Sequence, residues 1–298
     1  MEKNKVEMNV KLLFGIFSAG IILILPLRAY QYLKIIEPGT GFYSKTDFSV
    51  PLMYLLLAVF CLAMFFLAMK NKKSTAYKNT AGKIPVLGVI SFLVAVTLVA
   101  DAVIQSGNFT ELYYGTTQNS EIAMNGVAGG LMKSGALPLL FESIFAVLSA
   151  LFFTVLGINY FTGKSDCSEY KLLAITPLAW AICRILHRFM RTISFIKVSD
   201  LFYELFMLVF LMLFFMAFAQ LLARINHKGT DWKLFGFGLP AALLCLLCFV
   251  PRFAMLVMGK GSLLSDQSPP EYCDFAVALF ILAFLMSKVN ISKGKERG

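Results

Sequence analysis

The chain has 298 residues, of which 58% are hydrophobic, 14% aromatic and only 15% charged, with a mean hydropathy of +0.75. Soluble globular chains carry about 25% charged residues, so this composition excludes a soluble enzyme, a disordered chain and a nucleic-acid-binding domain, and describes an integral membrane protein. The formal charge of +10 reads as topology rather than as a polyanion-binding surface, because most lysines lie between apolar runs and basic loops stay on the cytoplasmic side of a membrane.

A membrane-spanning helix needs about 20 mostly apolar residues. Eight segments qualify: 12–34, 50–69, 84–105, 138–161, 171–190, 201–223, 234–257 and 272–289. The first begins behind Lys3, Lys5 and Lys11, as a signal peptide would, but it runs on to Leu27 without a small-x-small cleavage site and reads as a retained helix. The second carries no charge, and the connection after it holds Lys70, Lys72, Lys73, Lys78 and Lys83 with no acid. After the third span comes the longest connection, 106–137, with a glycosylation sequon at Asn108-Phe109-Thr110 and room for a short interfacial helix over 121–133, weakened by Gly126, Gly129 and Gly130. The fourth span is apolar after Glu142, the fifth is basic from Arg184 onward, and the sixth is uncharged after Glu204. Pro269-Pro270 suits the turn that opens the eighth, which is bounded by Asp274 and Lys288.

With the N-terminus inside, 17 of the 27 Lys and Arg fall in cytoplasmic segments, 7 in outer segments, and Arg28, Arg184 and Arg252 lie within helices. That asymmetry places both termini in the cytoplasm, as eight spans require. The predicted fold is therefore an all-α, polytopic membrane protein: one domain over 1–298, a bundle of eight transmembrane helices in a plasma membrane.

Ionisable side chains in mid-span cost about 2.5–3.5 kcal/mol on insertion scales, so they face a cavity or a partner. The candidates are Arg28, Asp101, Glu142, Arg184, His187, Arg188, Glu204, Arg252 and Asp274. Helices one, three, five and seven run outward and carry their charges late; helices four, six and eight run inward and carry theirs early. Every charge thus falls in the outer half, and the inner halves are uniformly apolar. The pattern predicts one polar cavity, closed toward the cytoplasm and open to the exterior. Two plainer readings stand beside it: Arg28, Arg188 and Asp274 are shallow enough to snorkel, and the charges can be structural pairs. Arg184, Arg188 and Arg191 form one stripe on helix five, Asp200 and Glu204 another on helix six, and the two stripes suit pairing across a tight outer hairpin. The alternative leaves Arg184 or Arg252 free to grip an anionic group, for which a planar guanidinium is suited.

Pro26, Pro177, Pro240 and Pro251 lie within spans and predict kinks, two of them beside Arg28 and Arg252. Tyr30, Tyr32, Tyr43, Tyr113, Tyr114 and Tyr272 fit an outer interfacial belt. Of the six cysteines, Cys245 and Cys248 have CxxC spacing but lie in an apolar helix with no second pair or histidine cluster, and read as small packing residues. Walker A, HExxH and GxSxG sequences are missing and there are only two histidines, His187 and His227. No catalytic set, metal site or cofactor is predicted.

Pro26-Leu27-Arg28 and Gln31, followed by Glu37-Pro-Gly-Thr-Gly-Phe42-Tyr43, with Arg184 and Pro251-Arg252 further on, resemble a group of uncharacterised multi-pass membrane proteins of Gram-positive bacteria. The resemblance implies a bacterial plasma-membrane protein and no particular substrate. The leading expectation is an outward-facing solute-binding protein or transporter. It would bind a small anionic or zwitterionic molecule at Arg184 and Arg252, with Arg28 at the rim and with Asp101 and Glu142 balancing those cations, binding a ligand amine or carrying a proton. The alternatives are a non-transporting protein that assembles with a membrane partner subunit and, third, a membrane enzyme acting on lipid.

Overall fold

The computed structural model describes residues 2–37, 43–44, 47–70, 83–118, 135–163, 171–190, 198–223, 230–261, 264 and 270–294. Among them the long elements are all helices: α1 (Glu2–Lys34), α2 (Ser49–Lys70), α3 (Pro85–Gln118), α4 (Ala136–Thr162), α5 (Thr176–Met190, led in by a 3-10 turn at Leu173–Ile175), α6 (Val198–Leu222), α7 (Thr230–Val257) and α8 (Tyr272–Gly294). Seven helical segments, one in each of α1 to α7, are long and apolar enough to cross a membrane. An isolated bridge, Ile36 to Tyr43, folds the chain back after α1.

Contacts between helices close a ring, α3–α4–α5–α6–α7–α8 and back to α3, while α1 and α2 pack on each other and on α7. The centre falls on α7, 89% of whose most apolar stretch is buried. Its sequence explains why: Gly236, Gly238, Ala241, Ala242, Cys245 and Cys248 are small and let several helices approach at once. A Cβ on Gly238 would lie 3.0 Å from Phe214 and 3.2 Å from Ile281. In contrast, α2 buries only one stripe, Met53, Leu57, Cys61, Met64 and Ala68, and turns Leu55, Val59, Leu62 and Phe66 outward. That is the apolar surface a bilayer solvates.

The closest approach is between α3 and α4. A Cβ on Gly88 would meet the Phe161 phenyl at 2.7 Å and the Gly157 carbonyl at 3.2 Å; one on Gly157 would meet the Gly88 carbonyl at 3.2 Å. The α4 helix then stops at Gly163, which takes φ 74° and returns its N–H to the Asn159 carbonyl. Gly157→Val is expected to cost about 1–3 kcal/mol by overpacking, read as a lower thermal unfolding midpoint in detergent. Gly107→Ala on the open side of α3, where nothing lies within 4 Å, leaves the midpoint in place. Equal midpoints for the two variants would refute the contact.

Each predicted span falls on a helix, but several ends differ: the first helix already begins at Glu2, and the fifth begins at Thr176 behind the 3-10 turn. The third helix continues past 105 to Gln118, because Ser106 and Thr110 return their hydroxyls to the carbonyls of Val103 and Ser106 at 2.8 Å instead of breaking the helix. The Asn108 sequon therefore lies on a helix. The eighth helix continues past 289 to Gly294. Pro177 sits in the first turn of α5, where a missing N–H costs nothing, so it does not kink a span; Pro26, Pro240 and Pro251 are inside helices. The proposed helix over 121–133 lies outside the described residues.

In one half of the bundle the ring of helices is filled by aromatic side chains. Phe153 of α4 meets Phe280 of α8 at 5.0 Å between centroids, and Phe218 of α6 meets Phe280 at 5.7 Å and Phe284 at 5.0 Å. Phe153 lies about 16 Å along α4 from Glu142, and Phe218 about 21 Å along α6 from Glu204, at 1.5 Å per residue. The two ends of the bundle therefore differ in kind, apolar and tightly plugged at one, charged at the other.

Candidate functional site: a buried charge network

Among the described residues, the charged end collects four arginines and six carboxylates from seven helices and their ends. It divides into two halves that differ in charge balance.

The first half joins α1, α6 and α7. Arg28, 1% exposed, forms a salt bridge with Asp200 and donates to Gln31 Oε1 at 2.8 Å and to the Tyr43 hydroxyl at 3.2 Å. Its guanidinium lies over the Tyr32 and Tyr203 rings at 4.8 and 4.7 Å. Gln31 also donates to the Ser49 carbonyl at 3.0 Å, pinning α1 to the start of α2. The Tyr32 hydroxyl donates to Asp200 at 2.9 Å and accepts from Arg252 Nε at 3.3 Å. Arg252 Nη2 reaches Glu204 at 2.8 Å and Asp200 at 3.6 Å. Two arginines thus face two carboxylates, and this half is neutral.

The second half joins α3, α4, α5 and α8. Arg184 pairs with Glu271, with Asp274 at 2.8 Å and with Glu142 at 3.8 Å, and its guanidinium lies 4.8 Å over the Trp180 ring. Trp180 Nε1 donates to Asp101 at 3.2 Å, and Gln105 donates to the other Asp101 oxygen at 3.2 Å. Arg188 pairs with Glu271 and, across the boundary, with Glu204 at 3.4 Å. Two arginines here face four carboxylates, an excess of two formal negative charges among the described residues. Glu142 is 2% exposed, and its Oε2 makes no hydrogen bond.

All five residues singled out as ligand-binding candidates, Arg28, Asp101, Glu142, Arg184 and Arg252, belong to this one network. The expectation that Arg184 or Arg252 stands free is corrected: each is bound to at least two carboxylates. A lone buried guanidinium would be strongly destabilising, so the fold brings it counter-charges. The α5–α6 hairpin does pair, through Arg188 and Glu204, but Asp200 turns to α1 and α7 instead; Arg191 lies outside the described residues. Of the tyrosines expected in an interfacial belt, Tyr32, 5% exposed, and Tyr43 belong to the network instead, whereas Tyr30, Tyr114 and Tyr272 are exposed.

Two features escaped the sequence reading. Glu271 precedes the eighth span by one residue and looked like loop; its i, i+3 spacing to Asp274, on one face of a helix start, was the available signal. The apolar end is also not uniformly apolar. Lys288 is 7% exposed, its Nζ lies 5.6 Å over the Phe284 ring, and Asp231 of α7 is the charge acting on it.

The five cysteines among the described residues, Cys61, Cys183, Cys245, Cys248 and Cys273, are free and buried. No group of three or more metal-ligating side chains occurs among the described residues. The chain matches no protein-family model, no curated protein and no solved structure.

Proposed function

We propose that this is a multi-pass plasma-membrane protein that binds a small solute at the charged end of its helix ring and carries it across the membrane. The basic-residue asymmetry of the sequence orients that end to the exterior and both termini to the cytoplasm. One observation carries the reading: ten ionisable groups from seven helices converge at one end of the bundle, with carboxylates in excess. Apolar side chains would hold the helices together at lower desolvation cost, and buried charges inside membranes mark solute and ion pathways. The neutral half holds α1 to α6 and α7; the acid-rich half is the binding site. Arg188, whose side chain is 17% exposed, is the most open of the four arginines and is the group a solute carboxylate would meet first. The Phe153, Phe218, Phe280 and Phe284 plug closes the far side.

The test is thiol labelling of intact cells with a charged, membrane-impermeant reagent, after replacing the native cysteines with alanine. Asp101→Cys, half-buried, is expected to label readily from outside, Glu142→Cys, buried in this structure, to label more slowly as the site opens to admit its solute, and Phe153→Cys, lower on the same helix as Glu142, to stay unlabelled. No labelling at 101 and 142, with Tyr114→Cys at the same end labelling readily, would refute the solute site. The network would then be a structural joint, and a membrane partner subunit the better object of search.

A further inference from the structure

The charge imbalance is confined to one place. The neutral half has its arginines and carboxylates in matched number, and its Tyr32 and Gln31 side chains are hydrogen-bonded across helices. In the acid-rich half, Glu142 has one oxygen directed to Arg184 at 3.8 Å, too long for a hydrogen bond, and the other without any hydrogen bond. Asp101 and Asp274 are among the charges acting on it. Arg184 is already shared by three carboxylates. An added anion would have to displace one of them and would raise an existing negative excess. An added cation would fill the open acceptor and reduce that excess. The indole of Trp180 is hydrogen-bonded to Asp101 and stacks under the Arg184 guanidinium that Glu142 approaches.

From this we infer that the solute is recognised through an ammonium group, which donates to Glu142 Oε2 between α3, α4 and α5, with Asp101 as the second negative charge. The inference rests on the solute-binding reading above and names the chemistry of its ligand: a small cation or a zwitterion, whose carboxylate, where present, is met by Arg188. A simple anion is not the substrate.

The chain's own tryptophans provide the readout. There are only two, Trp180 and Trp232. Trp232 packs against Phe65 and Phe237, so Trp232→Phe leaves Trp180 as a single reporter beside the site. This protein, purified in detergent, is titrated with ethylammonium chloride at fixed pH and constant ionic strength, and in parallel with sodium propionate. Ethylammonium is expected to change Trp180 emission saturably, and propionate to leave it unchanged. Glu142→Gln in the same background raises the ethylammonium Kd roughly 10- to 100-fold, the effect of losing a hydrogen bond to a charged group; Glu142→Asp, which keeps the charge, loses less. A saturable response to propionate alone, an ethylammonium response unaffected by Glu142→Gln, or emission that follows pH with no ammonium saturation (a proton as the only occupant) each overturns the assignment. So does the absence of any response. The labelling experiment separates the two levels: if positions 101 and 142 label and ethylammonium does not bind, the ammonium assignment alone fails; if they do not label, the solute site fails with it.

Discussion

Arg184→Leu is expected to be among the most damaging single substitutions in the chain, with a loss of about 3–5 kcal/mol, the range for removing one partner of a buried ion pair. Arg184 is the cation paired with Asp274 and Glu142, and it also holds Glu271. Without it, Arg188 alone faces four carboxylates from α3, α4 and α8. Much of that loss is the cost of the acids left behind, so it is recoverable. Adding Glu271→Gln and Asp274→Asn to Arg184→Leu should restore a large part of the stability, although three charges are then missing instead of one. Arg184→Lys falls between, because a point charge on a flexible stem does not reproduce a planar fork serving three carboxylates. Unfolding of the purified protein by heat or by SDS titration reads all of these. A single Arg184→Leu variant as stable as the parent, or a triple variant less stable than the single, would refute the counter-charge account.

Neutralising one carboxylate should have opposite consequences in the two halves. Asp200→Asn removes the acid that Arg28 pairs with and that Arg252 approaches at 3.6 Å. Arg28 is then left buried without a carboxylate partner, while Arg252 keeps only Glu204, and the loss is again about 3–5 kcal/mol. Glu142→Gln removes a charge from the half that already has two too many, at a position whose Oε2 makes no hydrogen bond; the variant is expected to be at least as stable as the parent. The same chemical change, acid to amide, in one buried network therefore serves as its own control. Equal destabilisation at both positions would mean that the imbalance is not real. A stable Glu142→Gln protein is also what makes its effect on ligand binding interpretable.

The candidate residues were legible because a charge inside an apolar run is conspicuous, and because the alternating direction of successive spans converts sequence position into depth. Arg28, Asp101, Glu142, Arg184 and Arg252 were found this way, and the structure brings them to one end of the bundle. Their partners were not legible. Nothing local tells Asp200 to choose Arg28, which is 172 residues away, over Arg188 at the other side of the hairpin. Glu271 was overlooked because hydropathy marks where an apolar run begins and is blind to the helix turn just before it. Tyr32 was assigned to the interface from its type and depth, while its face of α1 points inward to Asp200. By hydropathy Lys288 marks the end of a span, and only the continuation of α8 to Gly294 shows it to be inside a helix.

Amino-acid order alone determined the all-helical class, the approximate positions of the apolar helices and which charges lie within them. These follow from hydropathy summed over one helix length and from the cost of exposed backbone in lipid, both local properties of the chain. Tertiary structure decided which helices are neighbours, and hence which charges meet, which half of the network is balanced and where a carboxylate oxygen is left over. In an apolar solvent the driving force between helices is close packing, set by small residues such as Gly88, Gly157 and Gly238 on particular faces. That complementarity is a property of pairs of surfaces, and it appears only when the surfaces are brought together.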